Sequence, residues 1–334
     1  MGRKTGLVLI GLGVFFLALA AFSRYYVYGR VAVVPLDYVR VSVSEGTGAT
    51  VFDIAKQRET TTDLVSRRKV VGAVSAGEKA SGDLNRSVAV WETSVITNPP
   101  GAVADEENPP LAGSHDRVAF DRHTAEVVDC CGNYLSSTAN LETGTEVRDT
   151  STPITGHYFK LPFDAQKTTY KFWDGTLKDA TDLRYRSTEE IDGLTVYKYE
   201  QVIPATTVGT IKAPASFFGI KADGDVELDR VYANTRTLWV EPETGVIIRG
   251  QEAQNVVAKY QGKQVATLTE AVVGYNGKTI QANLDDYGPQ ASQLKLIRVW
   301  VPLGGLTLGV LVLIAGLALF VTGGRSGRGR RRVA

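Results

Sequence analysis

The two cysteines of this 334-residue chain are adjacent, Cys130 and Cys131, and Gly132 and Asn133 follow them. Consecutive Cα atoms lie ~3.8 Å apart across a trans peptide, against ~4.4–6.8 Å for most disulfides. A bond between them would therefore lock a tight turn. Three states are open to the pair: a structural vicinal disulfide, two unpaired thiols, and a redox or intermolecular role. The Cys-x-x-Cys spacing of thiol exchange is absent. Other chemistry is sparse. The three histidines are His115, His123 and His157, and none stands beside a Gly-x-Ser-x-Gly nucleophile pattern. His115 and His123 bracket Asp116 and Asp121 at a spacing that fits no zinc motif. Asp223, Asp225, Glu227 and Asp229 alternate like calcium ligands, but Leu228 stands where the calcium loop needs glycine. On a strand the same alternation turns Val226 and Leu228 inward and the acids to solvent. These residues predict no enzyme, no cofactor and no metal.

Aromatic side chains gather in the second half: Tyr158, Phe159, Phe163, Tyr170, Phe172, Trp173, Tyr185, Tyr197 and Tyr199. Such a set serves as the core of an antiparallel sheet, and it is also large enough to line a cavity for an apolar molecule. The elements that would position it read as strands and tight turns. Leu183–Glu189 and Leu194–Ile203 flank Asp192-Gly193, a strong hairpin signal. Thr235–Val240 and Val246–Arg249 flank Glu241-Pro242-Glu243-Thr244-Gly245, where proline sets the first turn angle and glycine takes the positive φ of the return. Asn255–Tyr260 and Gln264–Val273 flank Gln261-Gly262-Lys263. Val39–Val43, Ala49–Ile54, Thr62–Val71 and Ser87–Thr97 are strands of the first half. Residues 98–110, proline-rich and carrying Asp105-Glu106-Glu107, read as an exposed loop. The stretch Lys278–Arg298 reads as a partly helical stalk that Pro289 interrupts.

The ends of the chain are different. Residues 5–23 and 299–322 contain no charged side chain, and each is long enough to cross a ~30 Å hydrocarbon core as a helix. The flanking cations are Arg3 and Lys4 before the first, and Arg325, Arg328, Arg330, Arg331 and Arg332 after the second. Cytoplasmic flanks carry the Lys/Arg excess, so both tails, 1–4 and 323–334, are expected inside and residues 24–298 outside the plasma membrane. Ala18-Leu19-Ala20 offers a signal-peptide alternative, but the apolar run exceeds the usual signal core. With seven of the 37 Lys and Arg in the tails, the central region is acidic by about six charges against the 36 Asp and Glu, which argues against a nucleic-acid partner. Gly305 and Gly309, with Gly316 seven residues on, are spaced for close helix packing against Gly6 and Gly13 or a second copy. The predicted fold is mainly β: an antiparallel β-rich extracytoplasmic domain between N- and C-terminal transmembrane helices.

Several stretches resemble an actinobacterial membrane-protein family often labelled PorA-like porins. They are Cys130-Cys131-Gly132 after Phe120-Asp121-Arg122, Leu161-Pro162-Phe163-Asp164, Tyr170-Lys171-Phe172-Trp173-Asp174, Ile191 to Tyr197, and Trp239 to Gly245. The likeness runs through nearly the whole chain with both spans, and it brings no catalytic residues. A transmembrane β-barrel needs a lipid-facing apolar row, whereas Val196-Tyr197-Lys198-Tyr199-Glu200-Gln201-Val202 alternates as a sheet with one wet face. The spans themselves offer little polar lining beyond Thr307 and Thr322. The favoured expectation is thus a non-catalytic envelope protein among membrane lipids, whose ectodomain binds a lipid or lipid-linked glycan. A scaffold holding an envelope protein or a second copy, and a channel, are the alternatives.

Overall fold

The computed structural model describes residues 2–53, 56–102, 110–137 and 147–325, with the side chains of 324 and 325 excepted. Ile54, the acidic part of the 98–110 loop and the arginines after residue 325 lie outside the described residues. Helix α1 is Gly2–Phe22. Strands β1 (Val39–Asp53) and β2 (Arg58–Gly72) precede helix α2 (Val74–Leu84). Next come β3 (Val88–Asn98), β4 (Ala112–Asp121), β5 (Leu135–Ser137) and β6 (Val147–Asp149). The second half holds β7 (Tyr170–Asp174), β8 (Asp179–Ile191), β9 (Leu194–Pro214), β10 (Asp225–Val240), β11 (Ile247–Tyr260) and β12 (Lys263–Tyr275). Helices α3 (Gly277–Lys295) and α4 (Val301–Arg325) are the last elements among the described residues. They divide into a helical unit supplied by both chain ends and a β unit, Val34–Gly288.

The helical unit holds α1 and α4, whose apolar lengths suffice to span a membrane. Pro289 does not interrupt the C-terminal helix as expected: it lies inside α3, which continues through the π-helical turn Leu296–Trp300 into α4. A proline removes one N–H and bends a helix, but the turns on either side keep their own hydrogen bonds.

The β unit is one antiparallel sheet in the order β6-β5-β4-β3-β2-β1-β12-β11-β10-β9-β8-β7. Two meanders, β1 to β6 and β7 to β12, are thus joined by pairing of the first strand with the last. Hairpin geometry follows the sequence. Asp192-Gly193 and Gln261-Gly262 both take positive φ at their two central residues, the twist-matched two-residue turn. The two strands expected at 39–43 and 49–54 are one strand, β1. Its register slips between Gly46 and Ala49, and Gly48 adopts φ +65°, so the glycines form a bulge rather than a break. Period-two alternation then sets the faces: Leu64 and Val70 of β2 are buried, whereas Arg67 and Lys69 are exposed. The sheet curls, and the Phe120 end of β4 is linked to the edge strand β7 by single bridges, Phe120 to Val127, Glu126 to His157 and His157 to Phe172.

Candidate functional site

In the helical unit, small residues let α1 and α4 approach backbone to backbone. A Cβ built at Gly13 would lie 2.9 Å from the Gly309 carbonyl oxygen, and one at Gly6 would lie 2.8 Å from that of Gly316. Gly305 meets Ala20 and Phe16, and Gly316 meets Ile10. Gly6, Gly13 and Ala20 recur every seven residues on α1, which keeps one seam facing the partner helix. Ser23 extends the contact by donating its hydroxyl to the Ile297 carbonyl at 2.8 Å. No passage can run between two helices packed this closely. The opposite faces remain free: Leu7, Phe15, Leu303, Leu311 and Ile314 are exposed. Thr307 and Thr322 return their hydroxyls to carbonyls of their own helix.

Charge lines the inside of the curled β sheet. Arg236 of β10 donates to Glu252 of β11 at 2.7 Å and to Asp174 of β7 at 3.0 Å. It also donates to Gln201 Oε1 at 2.5 Å and to the Trp173 carbonyl at 3.2 Å. Burial opposes its charge, but Glu252 and Asp174 outweigh burial and hold the guanidinium above its ordinary pKa. Glu252 also accepts from Asn234 and Gln254; burial pushes its carboxyl up, and Arg236 prevails to hold it below the usual range. On the facing strands Arg68 donates to Thr93 at 3.0 Å and lies over the rings of Tyr158 and Phe159. Tyr158 donates to Asp116 at 2.5 Å, and burial raises the Asp116 carboxyl. The interior of the sheet is therefore polar, built on the paired charges of Arg236, Glu252 and Asp174. The outer face is charged as well, with Arg67, Lys69, Arg249 and Glu270 exposed. A sheet wet on both faces does not lie in lipid.

The aromatic side chains singled out from sequence divide among three packed groups. Phe172 and Tyr199 are core residues with Tyr170, Tyr185 and Tyr197 against them. Phe159 and Phe163 pack on Trp91 and Phe120, and Trp173 joins Val118 with Tyr158 and Phe159 alongside. Their rings meet one another edge-on, as Tyr170 and Tyr185 do on Tyr199. Cys130 and Cys131 are joined by a disulfide, and Cys131 and Gly132 both have positive φ. Cys130 and Gly132, with Asp129, Asn133 and residues 150–154, line a cleft of about 280 Å³. Val226 and Leu228 point inward, and Asp223, Asp225 and Glu227 are exposed. His115 lies beside Tyr134, whereas His157 is buried in the seam.

The interior charges Arg68, Asp174, Arg236 and Glu252 escaped the sequence reading. Their signal was parity: Arg236 shares the inward phase of Leu228, Tyr232 and Leu238, where charge is unexpected. Helix α2 was also missed. Gly77 and Ala80 form its packed face, and the left-handed Asn85 ends it.

Against known families, the model described as Porin PorA matches residues 5–318. Two relatives, each named "Porin PorA", come from Corynebacterium. That of C. amycolatum is 25% identical over 386 aligned positions, covering 97% of this chain and 98% of the relative. That of C. resistens is 24% identical over 322 positions, covering 75% and 76%. These names overturn the expectation of an ectodomain whose work is to bind a lipid or lipid-linked molecule. That reading rested on the aromatic set, whose rings are occupied by one another.

Proposed function

The chain belongs to the PorA porin family, and on that premise we propose that it is a channel-forming membrane protein whose pore is assembled from several copies. The observation that carries this is the family match through residues 5–318, which takes in both apolar helices. The glycine seam explains why one copy does not suffice: α1 and α4 leave no space between them, so a conducting path has to form between helix pairs. The exposed charges of the β unit's outer face argue against conduction through a lipid-embedded β-barrel. We further propose that the protein is non-catalytic and that both termini are cytoplasmic, with Val34–Gly288 on the outside. The basic flanks Arg3, Lys4 and Arg325 support that orientation.

Purified full-length protein in a planar lipid bilayer tests the reading. Stepwise conductance increments are expected, each appearing with a steep dependence on protein concentration. Complete absence of steps at protein-to-lipid ratios where oligomers are cross-linked would refute the channel reading. For orientation, membrane-impermeant labelling of Lys56 in intact cells is the expected outcome, and labelling of Lys4 instead would reverse it.

A further inference from the structure

Residues 154–165 close the seam of the β unit. Val127 N–H donates to the Gly156 carbonyl at 2.8 Å, His157 N–H to Lys171 at 2.8 Å, and Trp173 N–H to His157 at 2.8 Å. Farther along, Leu161 donates to Gly245 at 2.9 Å and Ala165 to Pro242 at 2.8 Å. Gly156, at φ +69°, approaches the Lys171 carbonyl where a Cβ would stand 2.7 Å away. The segment thus holds β4's side, β7 and the β10–β11 turn together, through isolated bridges where the rest of the sheet has ladders.

In the middle of this segment is Lys160, 5% exposed. Its ammonium nitrogen is shielded from solvent with no hydrogen-bond partner among the described residues, and it lies 3.5 Å from the centre of the Phe163 ring. Lysine is almost never buried without a partner, because a desolvated charge is costly. Two ionisable groups act on it. Glu241, from the β10–β11 turn, attracts its charge, but that carboxylate is already engaged by the Glu243 and Thr244 N–H groups and the Thr244 hydroxyl at 2.7–2.9 Å. His157, on the same segment, is buried and itself held below its ordinary pKa by burial. The face of the Phe163 ring attracts an ammonium without hydrogen-bonding it, and the apolar group around Trp91 and Phe120 supplies no counter-charge.

We propose that Lys160 is a proton-operated latch: the seam is held shut while its amine is neutral and loosens when the amine takes up a proton. Burial brings the closed-state pKa from 10.5 down to about 7, whereas an opened segment returns the amine to water and its ordinary value. The closed seam therefore binds fewer protons than the open one between those two values. The open fraction rises about tenfold for each pH unit of acidification across that window and is flat below it. The inference is independent of whether the helices conduct.

Hydrogen–deuterium exchange of the full chain in detergent tests it, with rates corrected for intrinsic chemistry and peptides covering 156–165 and 170–174. From pH 9 to pH 7 these peptides are expected to open about 50-fold more often, while β9 and β10 keep their protection. Lys160→Met, which retains the apolar stem, is expected to abolish the dependence. An equal slope in wild type and Lys160→Met, or no slope in wild type, would overturn the proposal. Competitive acylation of wild-type lysines gives a second measurement that needs no variant: a Lys160 midpoint near that of exposed lysines refutes the latch, and one near neutrality supports it.

Discussion

Gly13→Ala adds one methyl group to the α1–α4 seam, and the surroundings determine its effect. The new carbon would lie 2.9 Å from the Gly309 carbonyl oxygen, from Leu313 N and from Leu313 Cβ. Two of these are backbone atoms of α4, which no rotamer change can move. Carbon contacts are optimal at ~3.5–4.0 Å, so the helices have to separate by about 0.5–1 Å at this level, and a gap of that size forfeits about a quarter to a half of each neighbouring contact. Overpacking of this kind costs about 1–3 kcal/mol. Gly11→Ala is the matched control: nothing lies within 4 Å of its added carbon, and the higher helix propensity of alanine contributes up to about 1 kcal/mol in the opposite direction. The assay is SDS titration of the full chain in mixed micelles. Helix separation is followed by fluorescence transfer between labels at Leu7 and Leu317, both exposed. Gly13→Ala is expected to separate at lower SDS than wild type, and Gly11→Ala at the same or higher SDS. If Gly13→Ala matches Gly11→Ala, the close backbone seam is wrong, and with it the argument that a pore requires several copies.

Three other outcomes follow from the β unit. Arg236→Met leaves the carboxylates of Asp174 and Glu252 without their cation, and urea denaturation is expected to show a loss of about 3–5 kcal/mol. Because the Glu252 carboxyl is held below its ordinary value in the folded state, its contribution is present above the unfolded value and lost as pH falls through the folded one. The acid limb of a stability–pH curve should therefore flatten in Arg236→Met. Gly245→Ala places a carbon 2.1 Å from the Leu161 carbonyl oxygen at φ +71°; the melting temperature should fall well below that of Gly262→Ala, which has the same sign of φ but open space. Intact mass spectrometry under non-reducing alkylation should show no adduct, and two adducts only after reduction, as the Cys130–Cys131 bond requires.

Much of the fold was legible because it is local. A run of apolar residues longer than a bilayer is thick has one workable solution, the helix, since every backbone group has to find its partner within the segment. Asp192-Gly193 and Gln261-Gly262 fix hairpins because their conformations suit few other residues. Gly46 and Gly48 were misread because a bulge and a strand break share the same glycine signal. Arg236 could not be recognised as an interior residue, since a charge on a strand ordinarily faces water. Its partners Asp174 and Gln201 lie 62 and 35 residues away.

By itself, then, the sequence determined the two membrane-spanning helices, the antiparallel hairpins and the alternating faces, all set by patterns within one element or one turn. Tertiary structure decided the rest. Pairing of β1 with β12 closes the two meanders into one sheet, and residues 154–165 seal its seam. That closure converts the inward phase of each strand into an interior where charges have to pair or be neutralised. The burial of Lys160 and the meeting of Arg236 with two carboxylates are consequences of closure, because desolvation depends on what surrounds a side chain from every direction.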